Sequence, residues 1–338
     1  MVSEITYSDD FCGIGGFRFA FDQVGGFKCE FSSETDKFAR ITYETFHGEA
    51  PEYHDINDSI VDRPYVDLFV GGFPCMGFSS YGVASNNYRG NPHGFEHKTY
   101  GTLFFSIAQI LKTKQPKAFL LENVKNLLKH DGHKTFQVIK DTLNEVGYVF
   151  AHKVINASHW LPQSRERIYI VGLRKDLYDP NKFGPTNVFD IEYPEEAVKL
   201  SDILLEDIED KYAITERTWD TLKKHKARHM RAPNRVGFGY SLIEPPFEEA
   251  KTRTLLANYY KSGAEILIWR GDDVPPRRLT PLECLRLQGF PQETEKWFDG
   301  TEPQPVSNLR AYKQFGNSVA VPVVKVLAAK IKEMFQNI

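Results

Sequence analysis

Apolar positions in the first half of the chain recur in two rhythms. Short, nearly continuous runs, Val66-Asp-Leu-Phe-Val70, Ala118-Phe-Leu-Leu121 and Ile168-Tyr-Ile-Val171, alternate with stripes at helical spacing. The first stripe is Leu103, Phe104, Ile107, Ile110 and Leu111; the second is Phe136, Ile139, Leu143 and Val146, with Gly147 as its stop. Runs this apolar belong to strands covered on both faces, so the pattern predicts a β-α-β-α-β order on a doubly wound, mainly parallel α/β sheet. Such a sheet binds ligands beyond the carboxyl ends of its strands, and the residues just after each strand become the candidates for chemistry. From about Tyr178 the texture changes to Pro- and Gly-bearing, weakly periodic sequence, which predicts a smaller inserted lobe. Val323, Val324, Leu327, Ile331 and Phe335 return to helical spacing and need a large core to cover them. The expected division is therefore a first domain of residues 1–178 plus 305–338, with residues 179–304 as the second.

Composition narrows the classes. No apolar run approaches the roughly 18 residues of a membrane span, and Met1-Val2-Ser3-Glu4 lacks the basic start and apolar core of a signal peptide, so a cytoplasmic protein is expected. Cys12, Cys29, Cys75 and Cys284 form no C-x-x-C pair, and neither a disulfide framework nor a metal site is expected. A net charge of -3 gives no global attraction to polyanions. Charge is nonetheless segregated: Asp190 to Asp210 is acidic, while Lys211 to Arg235 carries Lys211, Arg217, Lys223, Lys224, Lys226, Arg228, Arg231 and Arg235 against Glu216 and Asp220.

Four strand ends and one strand entrance carry candidate groups. Phe11-Cys-Gly-Ile-Gly-Gly16 follows a predicted first strand and suits a nucleoside cofactor, but Arg18 occupies the last glycine position of the dinucleotide pattern, which argues against an NAD enzyme. Glu34 follows the second strand, where a carboxylate accepts from ribose hydroxyls. The run through Val70 leads into Gly71-Gly-Phe-Pro-Cys75, which presents a thiol at a rigid turn, a nucleophile's setting rather than a core cysteine's. Glu122-Asn-Val124 ends the next strand with a carboxyl group that burial would keep protonated, and Gln163-Ser-Arg165-Glu-Arg167 brings two cations to the same cleft. Singly, the glycine turn is equally a turn without a ligand, Glu34 a solvated carboxylate, and Arg165 and Arg167 surface charges. Together they suit thiolate attack on cytosine C6, with Glu122 at N3, activating C5 toward a methyl donor held over the glycine turn. That ring is reachable only outside the base stack, so the base must be flipped and covered, and the Gly- and Asn-rich stretch from Tyr81 to Tyr100 has the composition of a cover.

In this order the motifs resemble those of the bacterial DNA (cytosine-5)-methyltransferases over nearly the whole chain. Arg277-Arg-Leu-Thr-Pro-Leu-Glu283 is similar to the motif bracing the target-recognition lobe, and Gln314-Phe-Gly-Asn317-Ser-Val319 to the final cofactor motif. The resemblance implies a Rossmann-like catalytic domain with an inserted target-recognition domain. It implies S-adenosyl-L-methionine as cofactor and S-adenosyl-L-homocysteine as product, without a metal. The implied cofactor residues are Phe11, Gly13, Gly15, Gly16, Glu34, Asp55, Asn317 and Ser318, with Phe11 on adenine, Glu34 on the ribose and Asp55 on the adenine amino group. The implied catalytic residues are Cys75, Glu122, Arg165 and Arg167, with Arg167 on the flipped cytosine. Arg228, Arg231, Arg235 and Arg277 are the DNA-binding candidates, as base readers or phosphate anchors. Segments 86–95, 235–240 and 259–268 look most like the enterobacterial-type subgroup that modifies CC(A/T)GG. Expected partners are double-stranded DNA, acted on by a monomer, and a cognate restriction endonuclease working on the same site without direct contact. Met76 stands where the family usually has Gln, and Asp10 where a buried Leu is usual, which predicts for Asp10 an unusual first strand or a nearby cation. An RNA cytosine methyltransferase and an inactive DNA-binding homologue are the competing readings.

Overall fold

The computed structural model describes residues 4–52, 55–56, 62–73, 103–230 and 240–338, with the side chains of 228–230 and 262 left undescribed. Six strands form the central sheet: β1 (Ile5–Asp10), β2 (Phe27–Ser33), β3 (Leu68–Gly72), β4 (Ala118–Val124), β5 (Tyr148–Asn156) and β6 (Glu166–Arg174), in the spatial order β2-β1-β3-β4-β6-β5. The ladders joining β1, β2, β3 and β4 are parallel, and the two made by β6 are antiparallel. The order reverses around β1, the switch point at which open α/β sheets place ligands.

Strand alternation divides the core between two faces. Tyr7, Leu68, Val70, Leu120, Tyr169 and Val171 pack on one side beneath α1 (Gly16–Val24) and the C-terminal helix, while Phe69, Phe119, Leu121, Ile168 and Ile170 pack on the other beneath α3 (Leu103–Lys114) and α4 (Lys134–Glu145). Between them in sequence, α2 (Lys37–His47) starts at Asp36, whose carboxylate accepts from the Phe38 and Ala39 amides. Both helical stripes read from the sequence are thus helices, and the C-terminal stripe does return to the first lobe.

The mainly parallel sheet is borne out, but the β-α-β-α-β order needs correction at its last strand. Ile168–Val171 lies inside β6, which runs opposite to β4, because β5 intervenes and turns back through a hairpin-like connection. The sequence reading missed β5, although Tyr148-Val-Phe-Ala151 is itself an apolar run; His152 and Lys153 interrupt it, and only Tyr148 and Ile155 are buried. The reversal is what brings Arg167 opposite Val124 and the start of β6 to the carboxyl end of β4.

After β6, α5 (Glu216–Met230) is polar and largely exposed, and a two-stranded parallel pair, β7 (Leu242–Ile243) and β8 (Leu267–Ile268), adds Ile243 and Ile268 to the main core. Helices α6 (Pro281–Leu287), α7 (Asn308–Asn317) and α8 (Val321–Phe335) lead back to the first lobe. Buried amides fasten the seam: Gln163 donates to the Leu287 carbonyl at 3.0 Å and accepts from the Leu255 amide at 2.9 Å, and Gln288 donates to the Phe315 carbonyl at 2.6 Å. At this seam a Cβ on Gly316 would lie 2.3 Å from the backbone carbon of Leu256, with no side chain to move aside. Gly316→Ala is therefore expected to cost about 2 kcal/mol or more in urea unfolding; a change within about 0.5 kcal/mol would contradict the close packing.

Candidate functional site

A cavity of about 530 Å³ opens at the strand ends, lined by Phe11, Gly13, Gly16, Glu34, Asp36, Asp55, Ile56, Asn317 and Ser318 together with Glu122, Arg165 and Arg167. Two predicted groups, from motifs far apart in sequence, thus share one space.

In the first group, Phe11 leaves β1 with φ of 57°, a left-handed conformation unusual outside glycine, and its ring lies where a Cβ on Gly71 would meet it at 3.6 Å. Glu34 receives the Gly13 amide on Oε2 at 3.0 Å and the Asp36 amide on Oε1 at 2.8 Å. Each oxygen keeps a lone pair for a further donor such as a ribose hydroxyl. Gly16 is needed for close approach, since its Cβ would stand 2.8 Å from Ser318 Oγ and 2.9 Å from Val319 Cγ2. The residues present therefore fit an adenosine-bearing cofactor.

Gly15 is a correction. It does not line the cavity; a Cβ there would lie 1.9 Å from Nε2 of His47, a ring packed between Phe19 and Tyr43 at centroid distances of 4.4 Å. Gly15 makes room for the support under the loop rather than for a ligand. Burial, with the nearby Arg18 charge, pushes His47 down to about 3, so the ring is neutral near pH 7. No periodicity or motif singles out His47 in the sequence.

In the other group, Glu122 and Arg167 form an ion pair, Nε to Oε1 3.1 Å, while Arg167 Nη1 donates to the Glu166 carbonyl at 2.9 Å. Burial pushes the Glu122 carboxyl up, and the charges of Arg167 and then Arg165 pull the other way. Gly72 clears space beside it, its Cβ position lying 3.4 Å from Glu122 Oε2. Asn123, overlooked as more than a motif member, donates from Nδ2 to the Phe73 carbonyl at 2.8 Å and fixes the backbone that leads to Pro74 and Cys75. Cys75 itself lies outside the described residues.

Arg165 is placed differently from the sequence expectation. Its guanidinium donates to the carbonyls of Leu255 at 3.0 Å, Gly316 at 3.1 Å and Ser318 at 2.5 Å, so most of its donors brace the seam between β6, the second lobe and α7. Burial lowers Arg165 to about 9, with Arg167 adding to the effect, and it stays charged at neutral pH. Arg277 also needs correction as a DNA contact. It is buried in a two-pronged ion pair with Glu283, at 2.8 and 2.9 Å, and Glu283 further receives the amides of Leu205 and Thr280. That arrangement matches its motif's bracing role and removes the guanidinium from the surface. Arg231, Arg235 and the Arg228 side chain lie outside the described residues.

The chain matches the family model for C-5 cytosine-specific DNA methylases across residues 5–333. It belongs to that family. A DNA-cytosine methyltransferase of Escherichia coli K12 is 40% identical over 97% of this chain and 78% of its own length. The type II methyltransferase M.NlaX of Neisseria lactamica is 41% identical over 96% of this chain and 95% of its own length. Among solved structures, the S. pombe Dnmt2 methyltransferase shares the fold with a TM-score of 0.75 at 18% identity, covering 98% of this chain and 99% of that one. The chain is thus a DNA cytosine-5 methyltransferase, and membership implies S-adenosylmethionine as methyl donor and DNA as substrate. No described helix is long and apolar enough to cross a membrane.

Beneath the loop, Asp9 is fully buried and neither carboxylate oxygen has a hydrogen-bond partner among the described residues. Burial, with the charge of Asp10 beside it, pushes its carboxyl well above the usual range. As pH rises past the ordinary carboxylate range, the unfolded chain sheds this proton before the native one does, so Asp9 makes stability fall with pH. Asp9→Asn should therefore gain on the wild type by about 1 kcal/mol or more between pH 5 and pH 8 in urea unfolding. A difference independent of pH would count against a protonated Asp9.

Proposed function

We propose that this methyltransferase flips its target cytosine out of duplex DNA and methylates C5 through a covalent bond between Cys75 Sγ and C6. The observation that carries this reading is the buried Glu122–Arg167 pair beside the Asn123 hold on Phe73, two residues before Cys75. Glu122, raised by burial, holds a proton at N3 as the Cys75 thiolate adds to C6 and the C5–C6 double bond is lost. Arg167, steadied by Glu122 and the Glu166 carbonyl, orients the ring. S-adenosylmethionine, when bound, supplies an electrophilic methyl group and leaves as S-adenosylhomocysteine. Loss of the C5 proton and expulsion of Cys75 then restore the aromatic ring.

For the cofactor, Glu34 accepts from the ribose, Phe11 stacks on adenine, Asp55 takes its amino group, and Gly13, Gly16, Asn317 and Ser318 complete the wall. This assignment rests on their shared cavity and on the free lone pairs of Glu34. The target-recognition domain spans residues 179–304, with residues 1–178 and 305–338 as the catalytic domain. The site is CC(A/T)GG or a related CC...GG sequence, an assignment supported by the resemblance of segments 86–95, 235–240 and 259–268. Arg228 lies in the exposed basic helix α5, where Lys223 and Lys226 lie over Trp219 and Tyr240, and Arg231 and Arg235 follow it in sequence. The enzyme works as a cytoplasmic monomer on double-stranded DNA, alongside a restriction endonuclease that reads the same site.

Two measurements test this reading. Glu122→Gln is expected to slow methyl transfer about 10²- to 10⁴-fold while S-adenosylhomocysteine affinity stays within about twofold; equal losses in both would indicate misfolding instead of lost acid catalysis. Bisulfite sequencing of plasmid treated with enzyme and S-adenosylmethionine should find one cytosine per CC(A/T)GG modified. Methylation at an unrelated motif would remove the subgroup assignment.

A further inference from the structure

Asp10 is an acid in the middle of a sheet. It ends β1, with Ser33 of β2 and Gly71 of β3 as its register neighbours, and it is fully buried. Its carboxylate receives both terminal nitrogens of Arg63, Nη1 to Oδ2 at 2.9 Å and Nη2 to Oδ1, and the Ser33 hydroxyl at 2.8 Å. Arg63 is itself only 5% exposed and lies over the Phe31 ring at 4.7 Å. Neither charge contacts the cavity.

What the pair joins gives it a role. Asp10 directly precedes Phe11. Ser33 directly precedes Glu34, and its carbonyl also receives the Cys12 amide at 3.1 Å. Arg63 lies just before β3 and reaches back to the end of β1. Two separate strand ends, each followed directly by one residue assigned to the adenosine, thus meet on one buried carboxylate, with Arg63 as its counter-charge. An apolar side chain at position 10 would fill space but could hold neither Ser33 nor Arg63 in a fixed direction, whereas a forked guanidinium–carboxylate pair fixes both distance and angle.

We propose that the Arg63–Asp10–Ser33 cluster is a positioning device for the adenosine half of the cofactor, setting Phe11 and Glu34 relative to one another. The proposal rests on the cofactor reading above. It predicts that removing the cluster weakens nucleoside recognition even when the fold is intact.

Calorimetry on the full chain, with S-adenosylhomocysteine and with 5′-methylthioadenosine, separates these effects, because the second ligand keeps the adenosine and lacks the amino-acid half. The double variant Asp10→Leu/Arg63→Leu removes both charges without orphaning either, so its melting temperature should stay at or above that of the wild type. Both ligands should nevertheless bind at least about tenfold more weakly, and in turnover the loss should fall on KM for S-adenosylmethionine rather than on kcat. Wild-type affinity in a stable double variant overturns the proposal, as does a loss confined to S-adenosylhomocysteine. Should the double variant not fold, Arg63→Lys keeps the charge and loses the fork; it is expected to bind both ligands several-fold more weakly, and wild-type affinity in it overturns the proposal equally. A wild-type chain that binds neither ligand would instead sink the cofactor reading itself.

Discussion

The direction of one strand governs the site. Because β6 runs against β4, the first residues of β6 and the last of β4 are neighbours, and Arg167 meets Glu122 across a single ladder. In a parallel arrangement the same arginine would stand at the opposite edge of the sheet, a strand length of roughly 30 Å away. The pair does two opposing things to Glu122. Burial favours its protonated form, and the two guanidinium charges restrain that shift. In the proposed mechanism, a carboxyl group shifted upward by burial is the one that donates its proton to the ring nitrogen.

The same strand entrance ties distant parts of the chain together. Gln163, Arg165 and Gln288 spend their donors on carbonyls of the second lobe and of α7, and Gly316 lets two backbones touch where a side chain would part them. Arg165, Gln163, Gln288 and Gly316 thus form one closely packed seam. The close contact between Gly16 and Ser318 extends that seam to the glycine loop.

Much of this was legible from sequence because it is local. The apolar runs marked β3 and β4, the glycines marked the loop after β1, and the carboxylates followed their strands as expected. What stayed hidden depends on pairings distant in sequence. β5 escaped because it is an edge strand whose apolar run is interrupted by His152 and Lys153 and stays largely half-exposed. His47 supports Gly15 from another helix, and Arg63 answers Asp10 across fifty-three residues; the sequence suggested a cation for Asp10 without saying which. Arg165 and Arg277 illustrate a different limit. An arginine in a motif has the same letter whether it faces a ligand or spends its donors on carbonyls or on a buried carboxylate, and only the three-dimensional partner tells them apart.

The central claim is that this cleft drives covalent attack of Cys75 on a cytosine ring held by Glu122 and Arg167. Its most direct measurement is intact-mass and peptide analysis after incubation with S-adenosylmethionine and a duplex carrying 5-fluorocytosine at the target, where the C5 fluorine blocks the elimination that would release the enzyme. The account predicts a stoichiometric protein–DNA adduct located on Cys75. Methylation of ordinary DNA by the same preparation, with no adduct on the fluorinated duplex, would contradict it.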